Sequence, residues 1–404
     1  MRFLIISQYY SPEVGAAQLR LAAFARELRR RDHDVEVVTA LPNYPSGALD
    51  TSDRRRLARR ETRDGIPITR MWLYPASGTG GKRLISYFSF AATSLAGGMS
   101  ARKPDVVFVE SPPLFLGVTG WLTARRFGAR VVLNISDLWP DSVRDLGLLK
   151  GGPWLPMADW LEAWLYKQVD GVTAVTAGIR ERLIGPKSVP VSKLLFLPNG
   201  IDTDTFRPAT SSPRPTEVRP TFVFAGNHGM AQGLDVIVRA AKLVPEFDFR
   251  LIGDGSDKAR LEGEAKRLGT TNVRFEPTMP AEGVAEAYAS ASGGVVTLRH
   301  SDLMAGARPA KLLAVMACGR PVIYSGEGEG ADLVLKAEAG LVAQPEDPEA
   351  LAAAARLLVE DPQQAQALGE NGRRYVLGQF SWPALVGNWL DQLDGLLRKS
   401  GRSR

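Results

Sequence analysis

Cysteine is all but missing: Cys318 stands alone in 404 residues, so no internal disulfide can form, and beside Gly319 it reads as a small buried residue. Histidine is nearly as scarce, with His33, His228 and His300 far apart and no Cys/His spacing of a zinc site. No stretch reaches the roughly 20 apolar residues of a membrane-spanning helix. The opening MRFLIISQYY carries an apolar run about one strand long, too short for the core of a signal peptide. No dinucleotide fingerprint follows that strand, which argues against a dehydrogenase. No RNA- or DNA-binding module motif occurs, so nucleic acid is not an expected partner. The expected location is the cytoplasm, with room for peripheral contact at the inner face of the plasma membrane.

What is present fits a soluble two-domain protein. The length exceeds what one hydrophobic core usually serves. Hydrophobic residues make up 45% and charged residues 23%, an ordinary globular balance, and the 40 glycines and 27 prolines are scattered as loop residues. The net charge of +6 favours anionic lipid or phosphorylated small molecules as partners. The dense cluster Arg54, Arg55, Arg56, Arg59 and Arg60 reads as solvated surface.

Short runs rich in Val and Ile recur along the chain: Phe3 to Ser7, Val35 to Thr39, Ile68 to Trp72, Val106 to Val109, Val131 to Ile135 and Val172 to Val175. Helical spacing lies between most of them, as in Leu19, Leu21, Ala22, Phe24, Ala25 and Leu28. Continuously apolar strands alternating with helices indicate a parallel sheet covered on both faces. The pattern restarts at Phe222 to Ala225 and runs through Phe249 to Ile252, Val273 to Phe275, Gly294 to Leu298 and Pro321 to Tyr324. A Pro/Ser-rich stretch from Arg207 reads as the linker. The expectation is an α/β protein of two Rossmann-like doubly wound domains facing a central cleft: 1–200, 201–380, and an amphipathic terminal helix, 381–404, that caps the second domain or crosses back to the first. Ligands of such domains bind at the carboxyl ends of the strands.

Several loops there could carry chemistry, each with a plainer explanation beside it. Glycines that open a helix let backbone N–H groups and the helix dipole meet a phosphate, and the loops at Gly15 and at Gly226-Asn227 qualify, although a glycine after a strand often only makes the turn. Asn199-Gly200 is a common turn pair. Asp137, Trp139 and Asp141 follow a first-domain strand, where two carboxylates and an indole could hold a sugar; Asp137 as a helix cap and Trp139 as core explain them equally well. Arg308 and Lys311 precede and open a helix. A cation there opposes the dipole, which suggests an anionic ligand.

Taken in order, the Pro-Glu-x-Gly loop, Asp137-Leu-Trp-Pro, Pro198-Asn-Gly-Ile-Asp202, Gly226-Asn-His-Gly with Gln232-Gly233, Gly253-Asp-Gly255 and Pro309-Ala-Lys-Leu-Leu with Met316-Ala-Cys-Gly-Arg-Pro-Val322 resemble glycosyltransferase family 4, in the branch of colanic-acid and fucosamine transferases of bacterial polysaccharide assembly. The resemblance runs nearly the whole chain, and the order of the motifs carries it. It implies the GT-B fold and a retaining transfer of a hexose or amino-deoxyhexose from a nucleoside-diphosphate sugar, with UDP expected, to a lipid-linked or other saccharide acceptor. No metal and no other cofactor is implied. Asp137 and Lys311 would be catalytic. Gly15, Gly226, Asn227, Gln232, Arg308 and Lys311 would lie at the diphosphate. Gly253 and Gly255 would lie at the nucleotide, and Trp139, Asp141 and Asn199 at the sugar or acceptor. Apart from the resemblance, Glu327 and Glu329 of the glycine-rich turn are nucleotide-site candidates for ribose or sugar hydroxyls, with solvated turn residues as the plainer explanation.

The chain also departs from the family. Asn227 and Gln232 stand where many members carry Arg and Lys, and Gly306 and Ala314 replace a Glu pair. Two other readings share parts of the pattern, a non-hydrolysing nucleotide-sugar epimerase and a non-catalytic nucleotide-sugar-binding protein. Separately, the segment Lys82-Arg-Leu-Ile-Ser-Tyr-Phe joins two cations to an apolar helix that could dock on anionic lipid, or simply be core.

Overall fold

In the computed structural model the described residues are all except 14, 45, 77–80, 142–143, 145–153, 210–218, 302–307 and 400–404. The chain divides into two compact units, Met1–Asn199 with Leu385–Arg404, and Gly200–Ala384.

The first unit runs β1 (Arg2–Ile6), α1 (Ala16–Arg30), β2 (Asp34–Ala40), β3 (Ala58–Arg63), β4 (Ile66–Met71), α2 (Gly81–Met99), β5 (Val106–Ser111), α3 (Leu116–Phe127), β6 (Arg130–Ile135), α4 (Trp154–Gln168), β7 (Gly171–Ala174), α5 (Ala177–Ile184) and β8 (Leu194–Phe196). Its eight strands lie in the order β3-β4-β2-β1-β5-β6-β7-β8. Leu4 and Ile6 pack in a core with Val107, Val109 and Leu133, while the alternate residues Phe3 and Ile5 are also fully buried. That two-sided burial is why the strands read as unbroken apolar runs. The edge strand β3 is antiparallel to β4 and is joined to it by Asp64-Gly65, both at positive φ, the requirement of a two-residue hairpin turn. The sequence reading did not anticipate β3, because its ARRETR lacks apolar alternation. Two of the clustered arginines, Arg59 and Arg60, lie on it, and cations along an edge deter pairing with another chain.

The second unit runs β9 (Thr221–Ala225), α6 (Asp235–Leu243), β10 (Asp248–Ile252), α7 (Lys258–Leu268), β11 (Val273–Glu276), α8 (Ala281–Ser290), β12 (Gly293–Thr297), α9 (Ala310–Ala317), β13 (Val322–Ser325), α10 (Glu329–Lys336), β14 (Gly340–Ala343), α11 (Pro348–Glu360) and α12 (Pro362–Gln379). Its six parallel strands take the order β11-β10-β9-β12-β13-β14. The order reverses between β9 and β12, which makes the carboxyl ends of those strands the switch point where such sheets bind ligands.

The last helix, α13 (Trp382–Lys399), enters the first unit from Leu385 onward. Trp389 is fully buried, meets the rings of Phe24 and Phe108 edge-on at 5.0 and 5.6 Å, and donates its indole N–H to Thr173 Oγ1 at 3.1 Å.

Candidate functional site

Helix starts in the second unit are treated unequally. Asp347 and Asp361 cap α11 and α12, each accepting a backbone N–H at 2.9 Å. Helix α9 begins at Pro309 with no side-chain cap and no acid in its first turn, which leaves backbone N–H groups open to a ligand. Lys311 stands in that first turn. Its ammonium bonds Gln232 Oε1 and lies 4.9 Å from the centre of the Phe224 ring. No carboxylate pairs with it among the described residues, and burial lowers its pKa to about 8. A desolvated cation without a counter-charge is costly, and an anion placed there would recover the cost.

Gly226 makes that position possible. Its φ of +145° suits glycine, and a Cβ there would fall 2.3 Å from Lys311 Cε. Arg308 sits just before α9 with its guanidinium 4.6 Å from the Phe380 ring centre, and burial holds it below its ordinary pKa. Gly226, Gln232, Lys311 and the start of α9 therefore meet at the ends of β9 and β12.

The neighbouring loops are zipped together. His228 N–H donates to the Asp254 carbonyl at 2.8 Å, and Asp257 N–H to the His228 carbonyl at 2.9 Å. A Cβ on Gly253 would stand 2.0 Å from the Gly226 carbonyl, and one on Gly255 would stand 2.6 Å from Asn227 Oδ1. These two glycines were expected to let the backbone close around a nucleotide; the contact that demands them is with the loop after β9. Gly253 does line a cavity of about 360 Å³, together with Gly226, Asn227, Ile252, Thr278 and Met279, beyond the ends of β9, β10 and β11. That is the size and largely apolar lining of a small-molecule site. Behind it His228 is fully buried, its ring beside those of Phe224 and Phe275, and burial depresses its pKa.

Glu327 is exposed and pairs with His300 Nδ1 at 2.8 Å, while Glu329 is half-buried in the first turn of α10, where its charge suits the helix dipole. The former Glu-pair position at Gly306 lies outside the described residues.

In the first unit, Gly15 begins α1 with extended backbone, no side-chain cap and no acid in the first turn. A Cβ on Gly15 would strike Gln18 Oε1 at 2.4 Å. The buried Glu13 carboxylate accepts the N–H groups of Asn43 and Tyr44, each at 2.7 Å, and so fixes the loop from which α1 starts. Asn199 accepts from Arg20 at 3.0 Å. Arg20 also pairs with Glu110, and Glu110 accepts from Asn134 at 2.6 Å. Asn199 was singled out in the sequence; the buried trio behind it, Arg20, Glu110 and Asn134, was not, though a carboxylate and an amide ending the apolar strands VVFVES and RVVLNI were visible signals.

Two residues expected at the sugar are held by the protein itself. Trp139 is 6% exposed and packs with Leu114, Ala158 and Leu165, so its indole is core. Asp141 is buried among Arg144 at 3.0 Å, Arg182 at 2.9 Å and Lys187 at 2.9 Å, where it joins loop and helix and has no free carboxylate for a sugar. Asp137 is exposed.

Known proteins bear on this arrangement. Residues 15–200 match the model of a glycosyl transferase 4-like domain, and residues 219–361 match that of glycosyl transferases group 1. The chain is 28% identical over 346 residues to Escherichia coli (strain K12) WcaI, a glycosyl transferase ascribed to colanic acid biosynthesis, covering 81% of this chain and 84% of that one. It is 27% identical to the GDP-mannose-dependent alpha-(1-6)-phosphatidylinositol monomannoside mannosyltransferase of Mycolicibacterium smegmatis (strain ATCC 700084 / mc(2)155), over 94% of each. Among solved structures, the sucrose-phosphate synthase of Thermosynechococcus elongatus superposes with a TM-score of 0.70 at 19% identity, over 99% of both chains. Anabaena HepE in complex with UDP does so at 0.68 and 15% identity, over 98% of this chain and 100% of that one.

Proposed function

This chain belongs to the GT-B glycosyltransferases of the family 4 type, and on that premise we propose that it transfers a sugar from a nucleoside-diphosphate donor, through the second unit, to a lipid-linked saccharide during cell-surface polysaccharide synthesis. The observation that carries the reading is Lys311: a desolvated, unneutralised cation at an uncapped helix start, beside a glycine backbone and a cavity of nucleobase size. The donor diphosphate supplies the missing anion. The sugar C1–O bond to the β-phosphate breaks, the acceptor oxygen bonds to C1 on the same face, and the acceptor proton passes to the departing diphosphate. Lys311 and the open N–H groups of α9 stabilise the charge that appears on the leaving group. Gln232 orients Lys311, and Arg308 adds a second cation. Asn227 borders the nucleotide cavity, with Glu327 and Glu329 as acceptors for ribose or sugar hydroxyls. Gly15 leaves the start of α1 open for a second contact to the donor, and Asp137 is the exposed carboxylate available to the acceptor. The relatives that act in colanic acid synthesis and on phosphatidylinositol monomannoside, by their names, support a bacterial glycoconjugate acceptor.

A thermal-shift panel of nucleoside diphosphates and nucleotide sugars, with UDP expected first, followed by product analysis with and without a polyprenyl-linked acceptor, tests this. Glycosyl product with retained anomeric configuration supports it. A new sugar isomer formed without acceptor would mean an epimerase, and donor binding with no turnover on any acceptor would mean a binding protein.

A further inference from the structure

Gln232 reaches Lys311 from a slight piece of backbone. It ends a short 3₁₀ turn, Met230–Gln232, that has no side-chain cap and whose first residue is exposed. Its amide oxygen accepts from the Lys311 ammonium. An ammonium only donates, so the amide must present its oxygen to Lys311, and its NH2 remains a donor on the other side. The place of that amide, and with it the place of the lysine, is set by the backbone of the turn.

That backbone is stapled to the end of β12. Three consecutive carbonyls of the turn are held from there: Met230 O accepts from Arg299 Nε at 2.9 Å, Ala231 O from the Arg299 backbone N–H at 3.1 Å, and Gln232 O from Thr297 Oγ1. Strand β12 lies between β9 and β13, and Thr297 is buried, so the anchor belongs to the middle of the sheet. The rest of the Arg299 fork is fixed as well. Nη2 donates to Asp235 Oδ1 at 2.7 Å in the first turn of α6, and Nη1 to Glu346 just ahead of α11. Gly233, at a φ of +61°, lets the chain pass against this side chain, since a Cβ there would stand 3.1 Å from Arg299 Cγ. One planar guanidinium thus ties the turn to two helix starts, a geometry that an ammonium cannot copy. Its removal would not strand Asp235, which keeps Arg239 at 3.4 Å and Arg260 at 3.6 Å.

We infer that Thr297 and Arg299 are positioning residues for donor binding: they hold the Met230–Gln232 turn on β12 so that Gln232 keeps the Lys311 ammonium in place. The inference rests on the reading of Lys311 as the cation that meets the donor diphosphate. Arg299 acts through the turn, because all three of its guanidinium nitrogens are used by the protein itself. The benefit is preorganisation. A turn already fixed by the sheet need not be ordered when the donor arrives, so less binding free energy is lost to that ordering. Loss of the staple leaves the Lys311 charge present and its helix intact, and removes only the precision with which the amide meets it.

A double-mutant cycle on the full chain, read by titration calorimetry, tests it, with UDP as the probe, or GDP where that gives the larger thermal shift. Gln232→Ala weakens binding about tenfold, and Thr297→Val and Arg299→Met each weaken it roughly three- to tenfold. In the Gln232→Ala background neither substitution adds more than about twofold, because the contact through which they act is already gone. Each also moves the alkaline limb of the binding profile by as much as Gln232→Ala does, which a general loosening of the fold would not do. Thr297→Val conserves volume and keeps the cycle measurable if Arg299→Met fails to fold. Unchanged affinity in Thr297→Val and Arg299→Met, or losses undiminished in the Gln232→Ala background, overturns the inference and leaves the donor reading standing. Unchanged affinity in Lys311→Met sinks the donor reading, and the inference with it.

Discussion

Lys311 concentrates the chemistry in one titration. Its pKa is lowered to about 8 because its charged form is desolvated. The folded state therefore holds this proton less firmly than the unfolded chain. The penalty is fully present below pH 8, and stability rises as pH climbs from there towards the unfolded lysine value. Donor binding runs the other way, because the diphosphate needs the charged form. Affinity for a nucleoside diphosphate should hold from pH 7 to 8 and then fall about tenfold per unit, as titration calorimetry would show. Lys311→Met should weaken binding roughly 10- to 100-fold at pH 7, the range of a lost charge-assisted hydrogen bond, and flatten that profile. A profile unchanged by the substitution would detach Lys311 from the donor. Gly226→Ala attacks the same point from the backbone, since the new methyl group would occupy the path of the lysine chain. It should reduce donor affinity by a comparable factor while leaving the far-ultraviolet circular dichroism intact. The place of Lys311 in a first helical turn was legible in the sequence, and its burial was not. The packing of Trp139 was left open, because Asp137-Leu-Trp-Pro reads the same whether the indole faces core or ligand.

At the scale of elements, legibility follows periodicity. The central strands of both sheets were recovered to within a residue or two, because burial on both faces writes itself as unbroken Val, Ile and Phe. The strands β3 and β14 were missed; they are short or polar, and tertiary pairing rather than composition decides them. The Arg20–Glu110 pair was equally hidden, with 90 positions separating α1 from β5. Both side chains are buried, 4% and 3% exposed, so removing one partner strands a charge. Glu110→Gln should cost about 3–5 kcal/mol in the urea unfolding of the first unit, and Arg20→Met in the same chain should recover part of it. A loss no larger than that of an exposed pair would mean that water reaches the site.

For the whole molecule, two doubly wound units were readable from the restart of the strand pattern near Phe222. The packing of the final helix was not, since an amphipathic stripe states that a face is buried and says nothing of where. Trp389 settles the partner through Phe24, Phe108 and Thr173. Trp389→Ala should destabilise the first unit by about 3–5 kcal/mol, the usual range for a buried Trp emptied to Ala. Scanning calorimetry should then show one transition moved down and the nucleotide-responsive one unmoved.

That last helix also imposes an order of birth. The residues that finish the first unit leave the ribosome only after Gly200–Ala384 has been made. The later-encoded unit is uninterrupted and can reach its native state while the earlier one still waits for its tryptophan. Folding from the amino end, the common rule for chains of several domains, cannot complete the first unit until its last helix is made. Until Trp389 is made, the rings of Phe24 and Phe108 lack the indole that covers them.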